Sequence, residues 1–319
     1  MGLFGQLFGH GREKDTPELL SAIERAVSAV EPLLKQARGY PGSYRKPVTA
    51  ALEYARSLAA SVPGPVVANR ESYTRDAFVH ALFPSADSVM EAFFASRALQ
   101  DYYREFPTTD ELYALMGMRR FEKTMVGVEL SGEVIQRDVV QKVVYFTSHT
   151  IENPAPSEKQ SRDQAAWSFF DSLVGNVKKR MEARKQEKQS LLLEKDLLVA
   201  KMRTADAQER PALEEELSKL MTRIQATTSS LELRNYMEDF DAVLLNPEQH
   251  LRLEKIPMVL DSMGIRRESD NANQEGAIVF NELIGFDRRN WVLTIVHCSN
   301  MQSESFATRL DNAYRKLAI

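Results

Sequence analysis

The pattern of hydrophobic and polar residues changes three times along the chain. Apolar residues recur at helical spacing between residues 16 and 118, where proline and glycine separate several helices. Residues 119–155 are rich in Val, Ile, Tyr, Phe and Thr, which favours strands. Helical spacing returns in residues 161–245, and strand-like composition returns in residues 246–300. The pattern therefore predicts a helical domain and two β regions, which are separated by a long helical segment.

The predicted helical domain covers residues 16–118. A threonine N-cap followed by proline in the first turn is a typical helix start, so the first helix should begin at Thr16 and Pro17. Pro32 should interrupt this helix, because proline removes a backbone donor and clashes with the preceding turn. We expect the last helix of the domain over Thr109–Met118.

The long helical segment, residues 161–245, has the heptad-like spacing of a coiled coil. Residues 205–211 should reverse the chain, since Pro211 fits the first turn of a new helix better than a helix interior. We therefore expect an antiparallel hairpin whose two helices pack lengthwise. The apolar residues of its predicted seam are Leu191, Leu198, Met202, Leu213, Leu217, Leu220, Ile224 and Leu231.

Each β region is too short to form a stable sheet alone, whereas four or five strands can share a core. We therefore predict one discontinuous and mostly antiparallel β domain, made of residues 119–155 plus 246–300, into which the hairpin is inserted. A C-terminal helix is expected over residues 303–319. The predicted class is α+β: an N-terminal all-helical domain and a small β domain interrupted by a coiled-coil hairpin.

Composition narrows the possible partners and the compartment. The chain has 319 residues, a net charge of −4 and one cysteine. This balance provides no general attraction to nucleic acid, which we do not expect as a partner. A single cysteine excludes an intramolecular disulfide and fits a reducing compartment. Because the sequence contains neither an apolar stretch of spanning length nor a signal peptide, we expect a cytoplasmic protein.

Two short motifs resemble catalytic pairs. Both His297-Cys298 and Ser148-His149 lie in predicted strands, where adjacent side chains point to opposite faces. Neither pair can therefore act as a base and its nucleophile. The five histidines show no metal-ligand spacing, and the chain contains no phosphate-binding glycine loop. We accordingly expect no catalytic residue, no cofactor and no metal site.

The first residues form a separate amphipathic segment, residues 1–15. On a helix, Leu3, Phe4, Leu7 and Phe8 fall on one stripe, which is typical of a short interfacial membrane anchor. The same stripe could instead pack on the helical domain or on a protein partner. If it binds lipid, the protein should lie at the inner face of the membrane.

These observations favour a non-enzymatic scaffold or adaptor. The hairpin would dock a protein partner or a second copy of the chain, and the N-terminal stripe would add a peripheral membrane contact. The alternative is a regulatory protein that binds a small anionic ligand, such as a nucleotide, on the β domain. The residues that would bind this anion are Arg266, Arg267, Arg288 and Arg289.

Overall fold

The structure is a computed structural model, and the residues that it describes are 16–36, 38–107, 109, 111–131, 134–267, 277–285 and 291–299. Helices and an antiparallel sheet are both present, so the predicted α+β class is confirmed. The N-terminal segment with Leu3, Phe4, Leu7 and Phe8, the predicted C-terminal helix, and Arg288 and Arg289 lie outside the described residues.

Helices occur in both halves of the described chain. Their bounds are α1 Pro17–Val30, α2 Arg45–Ser61, α3 Arg70–Arg75, α4 Ala77–Leu82, α5 Ala86–Ala95, α6 Arg97–Glu105, α7 Glu158–Thr204, α8 Arg210–Ser230 and α9 Leu233–Leu244. The predicted start of α1 is confirmed, because Thr16 Oγ1 accepts a hydrogen bond of 3.2 Å from the Leu19 N–H. The predicted interruption is confirmed as well, since a 3₁₀ helix begins at Pro32.

One sheet contains the strands of both predicted β regions. The strands are β1 Val66–Val67, β2 Glu111–Ser131, β3 Val134–Ala155, β4 Leu251–Met258, β5 Ile265–Arg266, β6 Ile278–Gly285 and β7 Trp291–Ser299. Their order is β4-β6-β7-β2-β3-β5, and β1 pairs with β7 in parallel. The prediction that the two β regions share a sheet is therefore confirmed.

The predicted helix over Thr109–Met118 is wrong, because β2 already begins at Glu111. This stretch is rich in Leu, Ala and Met, which are good helix formers. Its apolar residues also alternate, and Leu112, Ala114, Met116 and Met118 are all buried in the core of the sheet. Antiparallel pairing with β7, from Glu111↔Ser299 to Arg119↔Trp291, satisfies the backbone and overrides local propensity.

The described residues divide into two compact units. One contains the described parts of Met1–Glu53 and Leu173–Pro247, and the other contains those of Tyr54–Ser172 and Glu248–Ile319. Helices α2 and α7 contribute residues to both units. The predicted domain ranges stay a prediction, because this division does not say which segments fold independently.

The first unit contains most of the predicted hairpin. Helix α7 is 47 residues long, or about 70 Å at 1.5 Å per residue. It ends at Thr204, and α8 begins at Arg210 with proline in its first turn, so the predicted reversal is confirmed. The return arm is two helices rather than one. It breaks after Ser230, whose Oγ donates a hydrogen bond of 2.7 Å to the Thr227 carbonyl and competes with the helix ladder.

Six of the eight predicted seam residues belong to one apolar cluster of α7 and α8. Its buried centre consists of Leu191, Leu198, Leu220 and Ile224, with Leu192, Leu213 and Leu217 packed against it. Met202 and Leu231 are only half-buried and lie outside this cluster.

Closer to the start of α7, Arg184 donates a hydrogen bond of 2.8 Å to the buried Asp239 of α9. Burial raises the pKa of Asp239, and the charges of Arg184 and Arg180 oppose that shift.

The second unit is built on the sheet. Helices α3 to α6 supply apolar side chains to the core face, including the buried Val79, Phe93 and Leu99. The backbone at Gly64 passes so close to β7 that a Cβ would lie 2.3 Å from the Ile295 carbonyl oxygen, and its φ of +112° also favours glycine. The neighbouring Pro63 carbonyl accepts a hydrogen bond of 2.7 Å from the Ile295 N–H.

A network of charged side chains lies at the end of this core. Arg120 donates hydrogen bonds to Glu282 on β6 and to Glu122 on its own strand. Arg266 on β5 also belongs to this charged network, because its Nη1 lies 3.6 Å from Glu122 Oε1. The side chains of Arg120 and Glu282 are only 13% and 3% exposed. These alternating charges satisfy one another where the apolar core stops.

Leu220→Asp should destabilise the hairpin by about 3 kcal/mol or more, because it places an unpaired carboxylate in the seam. The neighbouring Met221 is 49% exposed against 3% for Leu220, so Met221→Asp is a matched control with a small expected effect. Thermal unfolding followed by circular dichroism, with light scattering to monitor association, measures both. Equal melting curves for the two variants would show that α7 and α8 do not depend on this seam.

Arg120→Ala should lower the free energy of unfolding by about 3 kcal/mol, because Glu282 would keep a buried charge without its main counterion. Arg252→Ala removes an exposed pair with Glu254 and should cost less than about 1 kcal/mol. Urea unfolding curves of both variants compare the two costs. A loss for Arg120→Ala no larger than that for Arg252→Ala would contradict the proposed importance of the buried pair.

Candidate functional site

The longest strands extend beyond the rest of the sheet. Strand β7 pairs with β2 only as far as Arg119. Past that point β3 is the sole strand of the described residues that pairs with β2, and the two continue to Ser131↔Val134. On the other edge, β5 covers β3 only at Lys142 and Val143. We call residues 120–131 and 134–146 the ribbon.

One face of the ribbon has a strip of exposed apolar side chains. Val126 lies directly opposite Val140, and Val128 follows two residues later on the same face. Ile135, which pairs with position 130 of β2, lies on this face as well. The exposed fractions of Val126, Val128, Ile135 and Val140 are 63%, 60%, 65% and 68%. We call these four residues the apolar strip.

The strip lies on the same face as the core. Alternation along β3 places Val140 on the face of Val144 and Phe146, which are buried in the core cluster. The charged network around Glu122 lies between the core and the strip, together with the exposed Lys142. The strip is therefore apolar surface that continues past the end of the core without cover from the described helices. Contiguous exposed patches of this kind mark interaction sites.

The opposite face of the ribbon is held by contacts within the ribbon itself. The rings of Phe121 and Tyr145 stack at 5.6 Å, and the Arg119 guanidinium lies 5.1 Å from the Phe121 ring centre. Gln141 crosses Gly127 and donates a hydrogen bond of 3.2 Å to the Val128 carbonyl. A Cβ at position 127 would lie 2.2 Å from Gln141 Oε1, so this crossing depends on glycine. These contacts fix the conformation of the ribbon without any partner.

The outer edge of β2 is the second feature of the site. Within the described residues, positions 120 to 131 of β2 have no strand on the side away from β3. Such an edge presents N–H and C=O groups that can pair with another strand. Because a two-stranded ribbon is marginal alone, an added strand would also stabilise it.

The predicted docking element, the hairpin, presents a different surface. Its seam is filled by the contact between α7 and α8, so these leucines are not free for a partner. Leu193 and Leu197 of α7 are 66% and 67% exposed. At about 100° per residue they lie on the side of α7 away from Leu191 and Leu198. Any docking by the hairpin would use this outer side.

The described arginines of the predicted anion site already contact carboxylates. Arg266 forms an ion pair with Glu122 and so belongs to the charged network. Arg267 Nη2 lies 3.0 Å from Asp261 Oδ2, and Asp261 also accepts hydrogen bonds from the Met263 and Ile265 N–H groups. The two guanidinium groups therefore have local structural roles. The anion site stays a prediction, because its other two arginines lie outside the described residues.

The residues of the two catalytic-looking motifs are held in structural contacts. Cys298 is buried in the core cluster, and burial raises the pKa of its thiol, which disfavours the nucleophilic thiolate. His297 stacks on Tyr113 at 4.6 Å. His149 stacks on Phe83, its Nε2 lies 2.9 Å from the Leu82 carbonyl oxygen, and burial lowers its pKa.

The composition of residues 119–155 predicted the strands of the ribbon but not its exposed strip. The available signal was the alternation of apolar residues at positions 126, 128, 135 and 140. Alternation shows which residues share a face, but it does not show whether that face is covered. Whether the face is covered depends on where β7 and the helices end. The local sequence of the ribbon does not show this.

Within the described residues, no group of three or more His, Cys, Asp or Glu side chains is arranged to hold a metal ion. No described helix combines the length and the apolar composition needed to cross a membrane. No protein-family model, curated protein or solved structure matches this chain. The geometry of the ribbon is therefore the basis for a functional proposal.

Proposed function

We propose that the protein is a non-enzymatic adaptor or scaffold that binds another polypeptide through the ribbon. The observation that carries this proposal is the apolar strip, whose four side chains are each at least 60% exposed. Scattered exposed apolar residues are ordinary on a protein surface. Four of them on one face of a two-stranded ribbon form a contiguous patch, which is typical of an interaction surface.

The energy of burial is large enough to matter. Fully burying one Val or Ile side chain contributes about 1.5–3 kcal/mol, so covering two of the four strip residues, which are about two-thirds exposed, would contribute roughly 2–4 kcal/mol. Association also costs translational, rotational and side-chain entropy. The intramolecular contacts of Phe121, Tyr145 and Gln141 reduce the ordering part of that cost, because they fix the ribbon before binding.

The free edge of β2 supports a particular mode of binding. A partner in extended conformation can add a strand beside residues 120–131, with main-chain hydrogen bonds supplying affinity. Its alternate side chains would then contact the apolar strip and supply specificity. This mode uses both features of the ribbon at once, which neither a helix partner nor a small ligand would do.

The hairpin provides a second docking surface in this proposal. Its outer side carries Leu193 and Leu197, which are separated by one helical turn and exposed. Two leucines form a smaller patch than the apolar strip, so the ribbon is the primary contact. The hairpin would contribute to partner choice or to self-association.

Val126→Lys combined with Val140→Lys should abolish partner binding, because two charges would interrupt the strip. A matched control is Val279→Lys on β6, where the valine is exposed but lies outside the ribbon. Full-length tagged proteins are used for quantitative pull-down from their native cell extract. We expect a set of proteins that is captured by the wild type and by Val279→Lys but lost from the double variant. Identical captured sets for all three proteins would contradict the proposal.

A further inference from the structure

We propose that the strand that pairs with the ribbon belongs to a second copy of this chain. The two β2 edges would run antiparallel about a two-fold axis and join the two sheets into one. This inference rests on the proposed use of the ribbon for protein binding, and it names the partner. Three features support it: the edge of β2 that no described strand pairs with, the symmetry of an antiparallel pair and the charges along β2.

Symmetry limits the possible registers. A two-fold axis that relates two antiparallel strands of one sheet is perpendicular to that sheet, so each residue keeps its face in both copies. Residues directly opposite one another share a face. The register must therefore place one residue of β2 opposite the same residue of the second copy. Every symmetric register is defined by that central residue.

Charge favours Val126 over either of its two neighbours as the central residue. With Val126 at the axis, Lys123 lies opposite position 129, a glutamate, and this opposite-charge pair occurs twice by symmetry. Moving the axis to Met125 would place Lys123 opposite Gly127, and moving it to Gly127 would place Lys123 opposite position 131, a serine. Opposite charges directly across antiparallel strands stabilise pairing, whereas an unmatched register loses that contribution.

The same register extends the apolar strip across the axis. Val126 lies opposite Val140 within the ribbon, so the two copies would align four valines in one row across four strands. β-Branched residues that face one another across strands pack favourably. Pairing also converts two marginal two-stranded ribbons into a four-stranded segment with hydrogen-bonded inner edges. Met125 would lie opposite Gly127, where no side chain opposes it.

A comparison of two valines on the same face tests the symmetry. In Val126→Lys the two copies place lysines directly opposite each other at the axis, so the dimer should dissociate. In Val140→Lys the change is chemically identical and the exposed fraction is similar, 68% against 63%. Val140 lies one strand away from the axis, so this variant should remain dimeric. Sedimentation equilibrium of the full chain measures both, and circular dichroism melts establish that each variant is folded.

A charge swap tests the register. Lys123→Glu and Glu129→Lys each create like-charge pairs across the axis and should raise the dimer dissociation constant roughly tenfold or more. The double variant, Lys123→Glu with Glu129→Lys, restores opposite charges and should return the constant to near the wild-type value. Failure of this rescue, or a folded Val126→Lys variant that stays dimeric, overturns the inference.

The outcomes also separate this inference from the broader proposal. A wild-type chain that is monomeric at high micromolar concentration overturns self-pairing. If its pull-down still depends on Val126 and Val140, the adaptor proposal stands with a different polypeptide on the β2 edge. If Val140→Lys dissociates the dimer as completely as Val126→Lys does, the contact is made by the strip face and the edge-paired dimer is excluded.

Discussion

A mismatch in strand length governs the unit that contains the sheet. Strand β2 has 21 residues and β3 has 22, whereas their neighbour β7 has only 9. Pairing of β7 with Glu111–Arg119 places this end of β2 in the middle of the sheet, where its apolar side chains are buried. The remaining half of β2 then has β3 as its only partner among the described strands. The ribbon, its free edge and its exposed strip all follow from that mismatch.

The point where the core ends is chemically distinct from the core itself. Arg120 and Glu122 are the first residues of β2 on this face beyond Met118, and Glu282 of β6 reaches the same place from the other side. A buried ion pair contributes little net stability compared with apolar packing, but removing one partner is costly. These ion pairs therefore mark the end of the region where the helices pack on the sheet. The charged network also includes Arg266, one of the candidate anion-binding residues, which contacts Glu122.

Much of the helical architecture could be predicted because its signals are local. Thr16 with Pro17, Pro32, and Pro211 each act within one or two turns, and the structure places helix ends at all three. The spacing of Leu191, Leu198, Leu220 and Ile224 likewise encodes a seam that forms between neighbouring segments of the chain. The beginning of β2 could not be found in this way. Residues 111–118 contain good helix formers, and only pairing with β7, about 180 positions later, selects the strand.

The composition of the β2 edge bears on the proposed pairing. Exposed edges are usually protected by charge or proline, yet positions 124–128 read Thr-Met-Val-Gly-Val and contain neither. Charges flank this stretch instead, with lysine at position 123 and glutamate at position 129. An in-register parallel neighbour of the same sequence would set like charges against each other, whereas an antiparallel neighbour centred on Val126 sets lysine against glutamate. The flanking charges therefore favour the antiparallel orientation of the proposed pairing over the parallel one.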